Sequence, residues 1–194
     1  MLASSPATAA EETLIPNDRC LTTLSIPRID VESKVRSYVG SPDDAKGTRI
    51  QNRSLLASPL GTTGGVAAGQ LGNFHVDGHR NSAGGLLLEL RKLRKGDLVQ
   101  ARVECAVTPD LTFTYRISAR PSYVDFFSTE GRQAQIAEKP LEPGTRATRG
   151  YLSISTCATQ EDHARGDFRK DQFDNPPGRW VAVGVRVGIT IHKP

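Results

Sequence analysis

Apolar and polar residues alternate with a period of two in several short stretches of this chain, and a period near that of a helix occurs once. Over residues 97–107, Val99, Ala101, Val103, Cys105 and Val107 make one apolar face, and Gln100, Arg102 and Glu104 a wet one. That is the signature of a half-buried strand. Residues 111–117 predict another strand, with a continuation past Pro121 to Phe126. Residues 151–156 place Leu152 and Ile154 on one face, and residues 180–191 keep Val181, Val183, Val185 and Val187 in phase. Residues 21–29 alternate loosely and contain Pro27, which suits an edge strand because proline donates no ladder hydrogen bond. Residues 73–79 predict a short strand ending at Gly78, with Phe74 and Val76 on one side and His75, Asp77 and His79 on the other. The helical period belongs to residues 85–93. There Leu86, Leu87, Leu90 and Leu93 make a stripe, followed by basic residues and Gly96 as a stop.

The intervening segments are richer in turn formers. Residues 40–72 carry many Gly, Ser, Thr and Pro and predict loops with one short strand or helical turn at most. Residues 128–149 hold Pro140, Pro143 and Gly144 and predict a long loop with one helical turn. Residues 158–178 form a charged loop closing on Asn175-Pro176-Pro177-Gly178. Residues 1–18, made of Ala, Ser, Thr, Pro and Glu without periodicity, read as a flexible linker. That leaves residues 19–194 as a single folded domain, which the length of 194 residues also favours. Strands follow one another without alternating helices. The fold class is therefore mainly β, a closed and mostly antiparallel barrel with one or two short helices.

Composition narrows the function. The net charge of +4 is mild and its basic residues are scattered, which does not suggest nucleic acid. No apolar run approaches the roughly 20 residues of a spanning helix. Met1-Leu2-Ala3-Ser4-Ser5 lacks the basic start and apolar middle of a signal peptide, so the chain as given reads as soluble. Gly64-Gly65-Val66-Ala67-Ala68-Gly69 does not match a dinucleotide loop, and there is no Gly-Lys-Ser/Thr for a phosphate loop.

Three cysteines leave at least one thiol unpaired within the chain, and none lies in a Cys-x-x-Cys pair. Neither a zinc site nor a dense disulfide framework is expected. Cys105 is in register with Val103 and Val107 and reads as a small buried hydrophobe, while Cys20 borders the linker and reads as incidental. Cys157 ends one strand and opens a polar loop; it is either a buried hydrophobe or a thiol presented at a surface. His79, in Gly78-His79-Arg80, is either a surface histidine or an acid/base. His75, Asp77 and His79 share a strand face and invite a metal, but such spacing spans about 13 Å, too far for one ion without a bend. Arg179 shares the phase of Val181. It either projects to the apolar side, where a charge needs a partner or a polar cavity, or precedes the strand and meets solvent. His163 beside Asp162 competes as a base but reads as a solvated loop residue. A thiol, an imidazole and a guanidinium suffice for acyl transfer without metal or cofactor. The imidazole handles the thiol's proton and the arginine stabilises a developing oxyanion.

Five pieces in order resemble the sortase family over residues 21–190. Leu24-Ser25-Ile26-Pro27-Arg28-Ile29 resembles its first strand. The stretch Gly72-Asn73-Phe74-His75-Val76-Asp77-Gly78-His79-Arg80 resembles the strand that ends at the catalytic histidine. Leu90 to Asp97 is similar to an L-x-x-L-x-x-G-D junction, Leu152-Ser153-Ile154-Ser155-Thr156-Cys157 to L-T-L-x-T-C, and Arg179-Trp180-Val181-Ala182-Val183 to the strand bearing the arginine. The resemblance implies an eight-stranded sortase-type β-barrel and a cysteine transpeptidase of Gram-positive surfaces. Such an enzyme cleaves a Leu-Pro/Ala-x-Thr-Gly-like sorting signal between Thr and Gly through a thioacyl intermediate. It then transfers the acyl group to an amine of a cell-wall precursor or a pilin.

By residue matching, Cys157 is the nucleophile, His79 the general acid/base and Arg179 the substrate and oxyanion ligand. Thr156 contacts substrate, and residues 127–150 wall the groove. Neither cofactor nor metal is implied. Class E members are the most similar. Family members carry an N-terminal membrane anchor, absent from this sequence, which would hold the enzyme at the extracytoplasmic face with residues 1–18 as remains of the linker.

Two departures qualify the match. The 22 residues from Cys157 to Arg179 make a long loop, in which Arg165 and Arg169 rival Arg179, and Asn81-Ser82-Ala83-Gly84 replaces a Thr-Thr-Tyr frequent in class E. An L,D-transpeptidase would need Gly before its cysteine and Arg two residues after it, where this chain has Thr156 and Thr159. A papain-like or amidase reading would place Cys before His. The non-enzymatic alternative is a β-barrel binding module in which Cys157 is buried and inert.

Overall fold

A computed structural model describes residues 20–42, 44–61, 65–135 and 137–192. The linker expected over residues 1–18 lies outside the described residues. The elements in order are β1 (Cys20–Ile26), β2 (Val31–Val39), α1 (Ala45–Gln51), β3 (Leu56–Leu60), β4 (Gly72–Asp77), β5 (Leu98–Cys105) and β6 (Asp110–Ile117). They continue with β7 (Ser122–Asp125), α2 (Thr129–Gln135), β8 (Gly150–Cys157), α3 (Thr159–Ala164) and β9 (Gly178–His192).

The strands form one sheet in the order β6-β5-β1-β2-β3-β4-β8-β9-β7, and pairing of β6 with β9 closes eight of them into a barrel. β7 hangs on the outer side of that ring, paired with the start of β9. Most pairs are antiparallel; β2–β3 and β4–β8 are parallel. Leu24 and Ile26 of β1, Phe74 and Val76 of β4, Val99, Ala101 and Val103 of β5, Leu152 and Ile154 of β8, and Ala182 of β9 share one core cluster.

Several expectations change. β1 is not an edge strand, because it pairs with both β2 and β5. It stops at Ile26, and Pro27 opens a short 3-10 turn that Asp30 closes in the left-handed region at φ 53°. β2 has the in–out alternation of Val31, Ser33 and Val35 against Glu32, Lys34 and Arg36. Residues 40–72 hold both a helix and a strand. The helix is capped by Asp44, whose side chain accepts from the Lys46 and Gly47 N–H groups. Among the described residues there are three α-helices, not one or two.

The leucine stripe of residues 85–93 is not an α-helix. It is a run of tight turns, with bonds such as Leu88 N–H to Gly85 O and Leu93 N–H to Leu90 O. Repeated i to i+3 turns present residues at nearly helical spacing, so Leu87, Leu90 and Leu93 are all fully buried. Val107 falls beyond the end of β5 and is exposed. On β9 the phase is opposite to that expected. Trp180 and Ala182 face the core, whereas Val181 and Arg179 lie on the other face of the sheet.

Cys20 and Cys105 are neither incidental nor free. β1 and β5 pair with these two residues directly opposite each other, and they form a disulfide. Neighbouring-strand register, invisible at a separation of 85 residues, brings them together. Closing a loop of that length removes about 4–5 kcal/mol of unfolded-state entropy. The double variant Cys20→Ser/Cys105→Ser, followed by thermal denaturation, is expected to melt about 10 °C lower or more. An unchanged melting temperature would show that the bridge contributes nothing.

Candidate active site

Three adjacent strands bring the sequence candidates together at one end of the barrel. β4 and β8 run parallel with Asp77 opposite Ser155. The pairing continues past the strand end: Gly78 N–H donates to Ser155 O at 3.2 Å, and Thr156 Oγ1 donates to Gly78 O at 2.7 Å. Two residues on come His79, just past the end of β4, and Cys157, the last residue of β8, and both line one cleft. On the other side of Cys157, the antiparallel β8–β9 pair sets Arg179 directly opposite it. His79, Cys157 and Arg179 thus form a row across β4, β8 and β9.

All three share the phase that points away from the barrel core. On that face a buried polar chain crosses the β4–β8 junction. Asn73 Nδ2 donates to Ala137 O at 3.4 Å, and Ser153 Oγ donates to Asn73 Oδ1 at 2.8 Å. His75 Nδ1 lies 2.6 Å from Ser153 Oγ, and His75 Nε2 lies 2.9 Å from Asp77 Oδ1. Asp77 also accepts from Ser155 Oγ. Both ring nitrogens of His75 are thus engaged, one with Ser153 and one with Asp77. Asn73, His75, Asp77, Ser153 and Ser155 are each no more than 2% exposed. His75 and Asp77 are bonded to each other, and the described residues contain no group of side chains that could hold a metal ion.

His79 is partly exposed and its Nε2 lies 2.8 Å from Asn52 Oδ1, just beyond α1. That contact anchors the His79 ring through Nε2. Nothing in the sequence marks Asn52 for this duty, since it lies in a segment that reads as loop. His79 and Cys157 line one cleft of about 380 Å³, together with Phe168, Phe173, Arg169 and His163. Exposed His163 stacks on Phe168 at 4.8 Å.

Arg179 stands behind the cleft rather than in its lining. It is 2% exposed, and its Nη1 donates to the carbonyls of Pro176 and Gly178. Phe126 lies beside it, 5.6 Å from Cζ to the ring centre. Arg179 is therefore buried rather than turned to solvent, but on the outer face of the sheet and not on the core side, with backbone carbonyls among its partners. Arg165 sits over the Tyr123 ring at 3.9 Å, and Arg169 is paired with Asp167 and Asp125. Hydrogen bonds from Arg169 hold the Asp167 carboxyl down at about 2. Thr156, matched to a substrate contact, is 3% exposed and spends its hydroxyl on Gly78 O.

The loop after Cys157 begins with α3 and is tied down at both ends. Ala158 N–H donates to Gly178 O at 2.9 Å. Asp162, fully buried, accepts from Tyr123 Oη at 2.6 Å and from Gly178 N–H at 3.0 Å. A Cβ on Gly178 would meet Asp162 Oδ1 at 2.2 Å, so only glycine fits there. Burial, then the Asp162 bond and charge, push Tyr123 up to about 12, which keeps its hydroxyl a donor. Glu161 accepts from both Arg80 and Arg91. Burial disfavours its charge, but these bonds outweigh it and hold the carboxyl below its ordinary range. A lowered carboxyl favours the folded state above that range and surrenders the contribution as pH falls through its folded value.

A thiol and an imidazole lining one cleft, with a guanidinium behind it, are the groups that thiol acyl transfer needs. The sequence pattern of the sortase domain matches residues 24–169, a span holding His79 and Cys157 but ending before Arg179. The chain belongs to the sortase family and is a sortase-type cysteine transpeptidase.

Among solved structures, sortase E from Streptomyces avermitilis is similar, with 23% identity, 89% of this chain and 93% of that one covered, and a TM-score of 0.60. Sortase E1 from Streptomyces coelicolor with a tripeptide in its active site has 19% identity, coverage of 91% and 94%, and a TM-score of 0.60. The SrtA sortase from Actinomyces oris has 16% identity, coverage of 93% and 88%, and a TM-score of 0.60. These likenesses bear on the fold. A comparison with curated protein sequences finds no match. Sortases are in general extracytoplasmic, membrane-associated enzymes; no helix among the described residues is long and apolar enough to cross a membrane.

The buried pair carries a test. Asp77→Asn removes the carboxylate that holds both His75 and Ser155, and losing such a partner in a buried network costs about 1–3 kcal/mol. Denaturant unfolding is expected to show that loss; a stability equal to the parent's would show that these contacts contribute nothing. Asn52→Ala is expected to lower kcat about tenfold with little change in fold stability, because the His79 ring loses its orienting partner. An unaltered kcat would dismiss that role for Asn52.

Proposed function

We propose that this enzyme cleaves a Leu-Pro/Ala-x-Thr-Gly-like sorting signal between Thr and Gly and passes the acyl group to an amine of the cell wall or a pilin. The single observation that carries the reading is the row His79, Cys157, Arg179 at the ends of three neighbouring strands, two of them lining one cleft. The Cys157 thiolate attacks the threonine carbonyl carbon. The C–N bond to glycine breaks as imidazolium His79 gives its proton to the leaving amine, and a thioester to Cys157 remains. The incoming amine attacks that thioester, loses a proton to His79 and expels the thiolate. Arg179 supports the oxyanion once substrate oxygens replace the carbonyls of Pro176 and Gly178 as its acceptors.

Residues 127–150 wall the signal-binding groove. The Cys20–Cys105 disulfide supports work in an oxidising, extracytoplasmic setting. We place the enzyme with class E and assign its tether to an N-terminal membrane anchor; similarity to sortase E folds favours the class.

Intact-mass spectrometry with Leu-Pro-x-Thr-Gly and Leu-Ala-x-Thr-Gly peptides and a glycine-based amine tests the reaction. The parent is expected to gain the mass of the peptide up to Thr and to release ligated product, and Cys157→Ala to do neither. No adduct from either peptide, with Cys157 still alkylating readily, would point to another acyl substrate. Arg169 lines the cleft while Arg179 lies behind it, so the arginine role has its own comparison. Arg179→Ala is expected to lower kcat/KM by about a hundredfold or more and Arg169→Ala by far less. The reverse order would move the role to Arg169.

A further inference from the structure

Two carboxylates sit side by side on the first turns of α3, four and five residues after Cys157, and neither lines the cleft. Successive helical residues project about 100° apart, so neighbours on a helix reach in different directions. Glu161 reaches the segment after β4. Its oxygens take both terminal nitrogens of Arg80, a fork-to-fork contact on a side chain only 8% exposed. Arg80 is the residue next to His79. Arg91 adds a bond of 2.9 Å to Glu161 and lies over the Trp180 ring at 4.5 Å, which brings in the residue after Arg179.

Asp162 reaches the other way. One oxygen takes the Tyr123 hydroxyl and the other takes the N–H of Gly178, the residue before Arg179. Its own N–H donates to Ala158 O at 2.9 Å, which fixes it to the residue after Cys157. Each member of the catalytic row therefore has an immediate neighbour bonded to this pair or to its helix. The surface-charge reading of an acidic dipeptide does not fit two side chains of which one is fully buried and the other is bidentate to a buried arginine.

We propose that Glu161 and Asp162 are positioning residues for the transfer, an adjacent acidic pair that ties the His79 segment and the Arg179 strand to the turn following Cys157. This rests on the assignment of His79, Cys157 and Arg179 given above. Glu161 sets where His79 stands relative to the thiol. Asp162 sets where β9 begins and so where Arg179 projects.

The test uses Glu161→Gln and Asp162→Asn, which keep shape and remove acceptor capacity, with Glu89→Gln as a surface-charge control. Three quantities are read: the thermal midpoint, kcat and KM with a Leu-Ala-x-Thr-Gly peptide and a glycine-based amine, and the pH profile of Cys157 alkylation by iodoacetamide. Each variant is expected to lose about ten- to a hundredfold in kcat with KM little changed. Glu161→Gln is expected to shift the alkylation profile, and Glu161→Asp to recover part of both. Arg80→Gln combined with Glu161→Gln is expected to be no worse than either alone, because the two act through one contact.

Folded variants that keep the parent's kcat and alkylation profile overturn the proposal, whether or not they melt lower. Should Asp162→Asn not fold, Glu161→Gln decides. Alkylation needs no acyl substrate. A parent that alkylates but never forms an acyl adduct defeats the sorting-signal reading, while the shifted or unshifted profile of Glu161→Gln still decides the positioning claim.

Discussion

The parallel pairing of β4 with β8 is the contact on which the rest depends, because one register fixes which histidine meets which cysteine. A slip of one residue would turn every side chain of β4 to the opposite face. Phe74 and Val76 would leave the core, and His79 would leave the cleft. Apolar packing on the inner face resists such a slip, but hydrophobic contact is not directional. The outer face adds direction. Asn73, His75 and Asp77 on β4 can satisfy Ser153 and Ser155 on β8 only in the observed alignment. A buried polar network of this kind contributes little when complete and is expensive when broken, so it penalises wrong alignments more than it stabilises the right one.

From that junction the site spreads in two directions. Toward α1, Asn52 holds the His79 ring through Nε2. Toward β9, the antiparallel pairing with β8 sets Arg179 against Cys157, and the strand start is held by Asp162 through Gly178. Arg179 is a buried charge whose visible acceptors are carbonyls of its own loop. Backbone carbonyls are neutral acceptors, and in the proposed reaction a developing oxyanion would be a better one.

Much of this was legible in the residues. The alternation over β5 and β8 and the strand leading to His79 gave the barrel class, and the order of His, Cys and Arg pointed to residues that the fold brings to one end of the barrel. Local pattern failed where tertiary context decides. The leucines of residues 85–93 carry a helical spacing that a chain of 3-10-like turns satisfies equally well. The valines of β9 seemed to mark its core face, yet Trp180 and Ala182 lie there, because Val181 and Arg179 are covered on the outside by other parts of the chain. The disulfide needed the β1–β5 pairing, and Asn52, Glu161 and Asp162 needed three-dimensional neighbours. Short polar side chains in loops carry no signature of what they will touch.

The most direct test of the β4–β8 alignment is a cross-link. Neighbouring strand positions have Cα atoms about 5 Å apart, within the range a disulfide spans. Under mild oxidation the variant His79→Cys is expected to bond to Cys157, seen by peptide mapping as a 79–157 link beside the Cys20–Cys105 bridge. A folded variant in which residue 79 stays reduced, or pairs with another cysteine, would contradict the placement of His79 beside Cys157 and the account of the site built on it.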